Sequence, residues 1–198
     1  MRTRPAVVRL IAGREIRAAL RGRWFVVGAA SFALLAAAVA GLGMAGAGRW
    51  GVSAIDRTTA GLLNLILLFV PLLTLPLGAA SFVGEAEDGT LAYLVAQPVT
   101  RAEVFHGKLL GLLAANTLSV ALGFGVAAIL VGAVGGVSGM TFGALTAGAW
   151  LLGTVTLALG VLLSTLVKSR VRALAAAVAA WVVLVFLCDF GVLALAAS

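Results

Sequence analysis

Five apolar stretches decide what this 198-residue chain can fold into. They run approximately over 24–43, 60–84, 109–134, 141–167 and 173–196. Each is near or above the roughly 20 residues a helix needs to cross about 30 Å of hydrocarbon. In lipid every backbone donor and acceptor must find its partner within the protein, which makes helices the expected form of these stretches. The composition agrees: 63% of residues are hydrophobic and 11% charged, against about 25% charged in a soluble domain. The expected fold is an all-α integral membrane protein, a single domain with about five transmembrane helices. A cleaved signal peptide is not expected, because residues 1–23 are too charged and the first apolar run is long enough to remain as a span. One cysteine, Cys188, rules out an internal disulfide.

The formal net charge of +7 points to topology and not to nucleic acid, because the basic residues sit at the ends of the apolar runs. Residues 1–23 carry seven arginines, Arg101 and Lys108 follow the second run, and Lys168, Arg170 and Arg172 follow the fourth. The alternate connectors hold Arg49 and Arg57. This bias places the N-terminus in the cytoplasm of a bacterial-type inner (plasma) membrane and, with five spans, the C-terminus outside. From about Ala6 to Arg21 the chain can form an amphipathic helix with Arg14, Arg17 and Arg21 on one face and Val8, Ala12, Ile16 and Leu20 on another. Lying in the interface, it would turn its arginines toward anionic headgroups of the bilayer. It reads either as an elbow that frames a docking surface or as a positive-inside anchor.

Between the second and third spans lies a polar island, residues 84–108, with Glu85, Glu87, Asp88, Glu103 and the single histidine, His106. Gly89 permits a sharp turn, and Thr90 can cap a short helix. Leu91, Leu94 and Val95 then share one face, and Pro98 stops the helix at Gln97. Thr100-Arg101-Ala102-Glu103 is the reciprocal capping pattern of a new helix. The island is read as a turn, a two-turn helix and a freshly capped long helix. It serves either as a handle for a soluble partner or as a loop on the headgroups.

Within the spans, Pro71 and Pro76 each remove a backbone donor and are expected to kink the second. They serve either a substrate path or structure alone. Asn64, Asn116 and Thr117 are expected to hydrogen-bond between helices, and Gly123, Gly125, Gly153 and Gly160 to permit close helix approach. Asp189 is the acid of a predicted span, a functional candidate or a group reaching water at the outer end. Catalytic chemistry is missing from the sequence. There is no phosphate-binding G-x-x-x-x-G-K-[ST] loop, no H-E-x-x-H and no glycine-flanked serine nucleophile. Met1, Met44, Met140, Cys188 and His106 are scattered and form no soft-ligand path for copper. The chain is expected to be no enzyme and to hold no cofactor or metal.

The succession of a long apolar span, GEAEDGTL, YLVAQP and TRAEVFHGKLLG resembles the signature of ABC-2 type transporter permeases. Within that family, Phe82-Val83-Gly84-Glu85 and Phe190-Gly191-Val192-Leu193 are most similar to the permease serving copper-site maturation of nitrous oxide reductase. The resemblance implies an exporter's membrane subunit whose island is a cytoplasmic coupling helix, with ATP bound and hydrolysed by a separate cytoplasmic subunit. Glu85, Glu87 and Asp88 would be its acidic entry, Gly89, Thr90, Leu91, Leu94 and Val95 its coupling segment, and two permease copies would form the pathway. The family's pattern carries a sixth span, which the apolar runs here do not supply. A non-transporting or truncated membrane scaffold is the alternative.

Overall fold

The computed structural model describes residues 4–21, 23–45, 54–89, 99–134 and 138–196. They form six helices: α1 (Pro5–Arg21), α2 (Arg23–Ala45), α3 (Ala54–Glu87), α4 (Arg101–Val134), α5 (Gly139–Leu166) and α6 (Arg170–Ala196). Among the described residues no strand occurs. Four segments are long and apolar enough to cross a membrane, Thr58–Glu87, Arg101–Ile129, Gly139–Leu166 and Arg170–Leu187, and α2 contributes the shorter apolar stretch Ala30–Val39. The protein is therefore a multi-pass, all-α membrane protein.

The helices outrun the apolar stretches. α3 starts at Ala54 and α4 at Arg101, so the stretch from Arg101 to Lys108 is the first two turns of a helix and not part of a loop. Local chemistry sets these ends. Ser138 caps α5, its hydroxyl accepting from the Thr141 N–H. The expected Thr100–Glu103 box forms at the start of α4, with Thr100 N donating to Glu103 Oε2 at 2.8 Å and Glu103 N to Thr100 Oγ1 at 3.2 Å. Pro71 and Pro76 lie inside continuous helix.

α3 is the central helix and α5 its most extensive partner. They meet where Gly78 faces Gly160. A Cβ on Gly160 would fall 2.4 Å from the Leu75 carbonyl oxygen, and one on Gly78 2.5 Å from that of Leu157. Only hydrogen fits at such a crossing. Leu75, Ala79, Leu157 and Val161 are buried around it. Farther along α3, Leu62, Ile66 and Val70 pack with Phe32 and Ala36 of α2 and Val120, Phe124 and Ala127 of α4. Val83 packs with Ala173 and Ala177 of α6.

Hydroxyl groups tie this interior together. Thr74 Oγ1 lies 2.6 Å from Thr156 Oγ1, and Ser164 Oγ accepts from the Phe82 and Val83 N–H groups, both at 3.0 Å. Thr117, expected to bond between helices, accepts from Trp150 Nε1 at 2.9 Å. Asn64 is exposed. Asn116 is buried with its Nδ2 lacking a partner. Gly153 adjoins Asn116 and Gly123 adjoins Phe32, as close-approach glycines should, whereas Gly125 faces open space. Apolar side chains left outside, such as Val178, Val182 and Phe186 on α6, are what a lipid-facing surface needs.

Candidate functional site

α1, the end of α3 and the first turns of α4 and α6 converge in one charged cluster that flanks residues 88–99. Its construction starts from two glycines. A Cβ on Gly107 would sit 2.8 Å from Ile11 Cβ, and one on Gly111 2.5 Å from Glu15 Cβ. These glycines, one turn apart on α4, let α1 lie close against it, with Ile11 buried in the contact. The side of α1 that meets α4 is therefore Val8, Ile11, Ala12 and Glu15, which shares Val8 and Ala12 with the expected apolar face.

That approach brings Glu15 beside Lys108, whose side chain is 2% exposed. A lysine this deep needs negative partners, because an unpaired buried ammonium costs several kcal/mol. Two are present. Lys108 Nζ is 2.6 Å from Glu85 Oε2 and 3.6 Å from Glu15 Oε1. It also lies 5.2 Å from the Phe82 ring centroid, where the aromatic face attracts a cation. Arg14 completes the set, donating from Nη2 to Glu15 Oε1 at 3.0 Å and to Glu85. Two cations and two carboxylates from three helices therefore balance. Partial burial of Arg14 works against its charged form, but the hydrogen bonds and charges of Glu15 and Glu85 outweigh it and raise its pKa above the usual arginine value. The guanidinium stays charged.

A second fastening lies at the start of α4. The Glu103 carboxylate, fully buried, accepts from Thr100 N and also from Arg4 N at 2.7 Å, with Arg4 Nε 3.5 Å away. The residue that closes the helix cap thereby holds the leading end of α1. The third fastening is Glu87. Its Oε1 accepts from Arg170 N at 3.0 Å, at the first residue of α6. A carboxylate here satisfies one free N–H and meets the positive end of the helix dipole. Past Glu87 the chain turns: Asp88 N donates to Gly84 O at 2.9 Å, and Gly89 takes φ +72°. That left-handed conformation is cheap only for glycine, which agrees with the turn expected there.

The expected acidic entry is thus three residues in three settings. Glu85 points into the helix cluster, Glu87 binds α6, and Asp88 is exposed. Thr90, Leu91, Leu94 and Val95 lie outside the described residues. Of the elbow arginines, Arg14 joins the cluster and Arg17 is exposed, while the side chains of Arg21 and Asp189 lie outside what is described. Pro71 is 14 residues before Glu85 in one helix, about 21 Å along its axis, so neither proline belongs to this site. His106 is exposed, with Nδ1 bonded to Ala102 O at 2.7 Å.

Sequence reading gave no site role to Glu15, Gly107 or Gly111, and counted Lys108 and Arg170 only toward topology. A single acid inside an arginine-rich helix was a usable signal for Glu15. Chemically the cluster holds no nucleophile beside a base. It is suited to fastening and transmitting motion.

Residues 9–198 match the ABC-2 family transporter protein. The chain is 35% identical over 190 residues to the "Probable ABC transporter permease protein NosY" of Stutzerimonas stutzeri, covering 93% of this chain and 69% of that protein. To the protein of the same name from Pseudomonas aeruginosa it is 34% identical over 194 residues, covering 96% and 70%.

Proposed function

The chain belongs to the ABC-2 transporter family, and on that premise we propose that it is the membrane-spanning permease subunit of an ABC exporter, driven by a separate ATP-binding subunit. One observation carries the mechanical part of this reading. The helix ends on either side of residues 90–98 are fastened to α1, α4 and α6 by Glu85, Glu103 and Glu87. A push on that segment is passed to four helices at once and is not absorbed by a slack loop.

In this reading five spans cross an inner membrane. The basic end of the bundle faces the cytoplasm, as the bias of lysine and arginine requires. Residues 88–99 dock on the ATPase, with Leu91, Leu94 and Val95 as the apolar contact and Asp88 as the exposed acid. Two permeases form the pathway, and ATP is bound by the partner alone. The likeness of Phe82-Val83-Gly84-Glu85 and Phe190-Gly191-Val192-Leu193 to the permease serving nitrous oxide reductase makes maturation of that enzyme the role to test first.

The experiment is co-purification with an ABC ATP-binding subunit, followed by that subunit's ATP turnover in lipid nanodiscs. Leu91→Asp together with Leu94→Asp is expected to abolish both association and permease-dependent turnover while helix content stays unchanged. An ATPase that still associates with the double variant would overturn the assigned coupling segment. Association without any ATP-dependent movement of cargo would favour a scaffold.

A further inference from the structure

Where α1 packs on α4, the two helices leave an open groove of about 370 Å³ lined by Pro5, Val8, Arg9, His106 and Leu110. Three of these side chains are apolar, and Leu110 is half exposed. His106 is a fixed wall. Its Nδ1 bonds Ala102 O at 2.7 Å, and the Phe105 ring meets it edge-on with centroids 5.8 Å apart. Arg9 is exposed and, among the described residues, makes no ion pair.

The arginines of α1 thus divide into two kinds. Arg4 lies against Glu103, and Arg14 against Glu15 and Glu85, so their charges are met within the protein. Arg14, which the sequence suggested for the headgroups, is held by carboxylates instead. Arg9 and Arg17 are exposed, and Arg9 lines the groove whereas Arg17 does not. Depth then decides what kind of anion Arg9 can meet. Arg9 and His106 stand beside the first two turns of α4, and from Leu110 its exposed flank continues through Leu122, Val126 and Ile129. The groove therefore lies where polar chain gives way to lipid-facing chain, the level of the phosphates in a bilayer.

We propose that this groove holds the headgroup of an anionic glycerophospholipid, its phosphate paired with Arg9 and its acyl chains lying along Leu110 and the apolar flank of α4. A guanidinium offers a phosphate two parallel N–H donors. The uncompensated charge of Arg9 calls for an anion, and at this depth the bilayer supplies one already joined to hydrocarbon. A zwitterionic headgroup would bring a second cation beside Arg9, which favours the anionic lipid. The site rests on the membrane placement of the helices and not on the coupling role of residues 88–99.

The full chain in mild detergent is offered equal amounts of phosphatidylglycerol and phosphatidylcholine with distinguishable acyl chains, and retained lipid is read by native mass spectrometry. Wild type is expected to keep one phosphatidylglycerol per chain, preferred about fivefold, the effect of one basic residue near an anionic surface. Arg9→Gln is expected to abolish the preference. Arg17→Gln, about 12 Å farther along the same helix, is expected to leave it intact. Circular dichroism checks that both variants keep their helix content. A preference that survives Arg9→Gln overturns the site. Equal losses in the two variants mark diffuse attraction to the whole helix and overturn it as well. Displacement of the lipid by millimolar inorganic phosphate would mean that the groove binds the free anion, and the lipid assignment would fall.

Discussion

Two helix crossings in this molecule begin from the same device and finish differently. At α1 on α4, Gly107 and Gly111 allow close contact, and charges complete it: Arg14 and Lys108 against Glu15 and Glu85. At α3 on α5, Gly78 and Gly160 allow closer contact still, and hydroxyls complete it: the Thr74–Thr156 pair, and Ser164 against the backbone of α3. Hydroxyls carry no charge to desolvate, so the second solution works at any depth in hydrocarbon. Charges hold only as a complete set, because removing one leaves its partners buried and unmatched. The interior crossing tolerates the loss of a single polar group, and the charged one does not.

The largest expected effect tests the charged crossing. Lys108→Met should destabilise the protein by up to about 3–5 kcal/mol, since it leaves two carboxylates of the set, Glu15 and Glu85, facing the single cation Arg14. Thermal unfolding in detergent measures it, and adding Glu85→Gln should recover part of the loss. A melting temperature unmoved by Lys108→Met would show that the set is not needed. Next in size is Gly160→Val at the interior crossing, expected to cost about 1–3 kcal/mol by overpacking. Its neighbours there are backbone atoms of Leu75 and Ala79, which have no flexible end to swing aside. Unlike Lys108→Met, it should respond to no second-site charge change. Smallest is Thr156→Val, near-isosteric and fully buried. Losing one interhelical hydroxyl contact should cost about 0.6 kcal/mol and no more than about 1.7. A loss as large as that of Lys108→Met would erase the distinction between the two crossings.

Much of the fold was legible because it is written in local terms. Run length gives the helices, Thr100 and Glu103 announce a helix start, and Gly89 announces a turn. These depend on residues three or four apart, where geometry leaves few choices. Lys108 shows what was not legible. Its partners Glu15 and Glu85 are far from it in sequence, and nothing near it distinguishes a paired buried lysine from one at a membrane surface. Gly78 and Gly160 likewise gain their meaning only from each other. The sequence marked out the polar island, with Glu85, Glu87 and Asp88 sharing one role as an acidic entry. Helix periodicity alone could not separate Glu85 and Glu87, which fasten neighbouring helices, from Asp88, because their roles depend on α1, α4 and α6.

Glu85 and Glu87 are both engaged by neighbouring helices, and this draws a clean border just before Asp88. Everything ahead of that border is anchorage and belongs to the bundle. The turn at Asp88 and Gly89 on one side and the Thr100–Glu103 cap on the other mark where the fastened helices end. A chimera carrying residues 90–98 of a sister permease should therefore melt at the parent's temperature, because the joints at Glu85, Glu87 and Glu103 stay as they are.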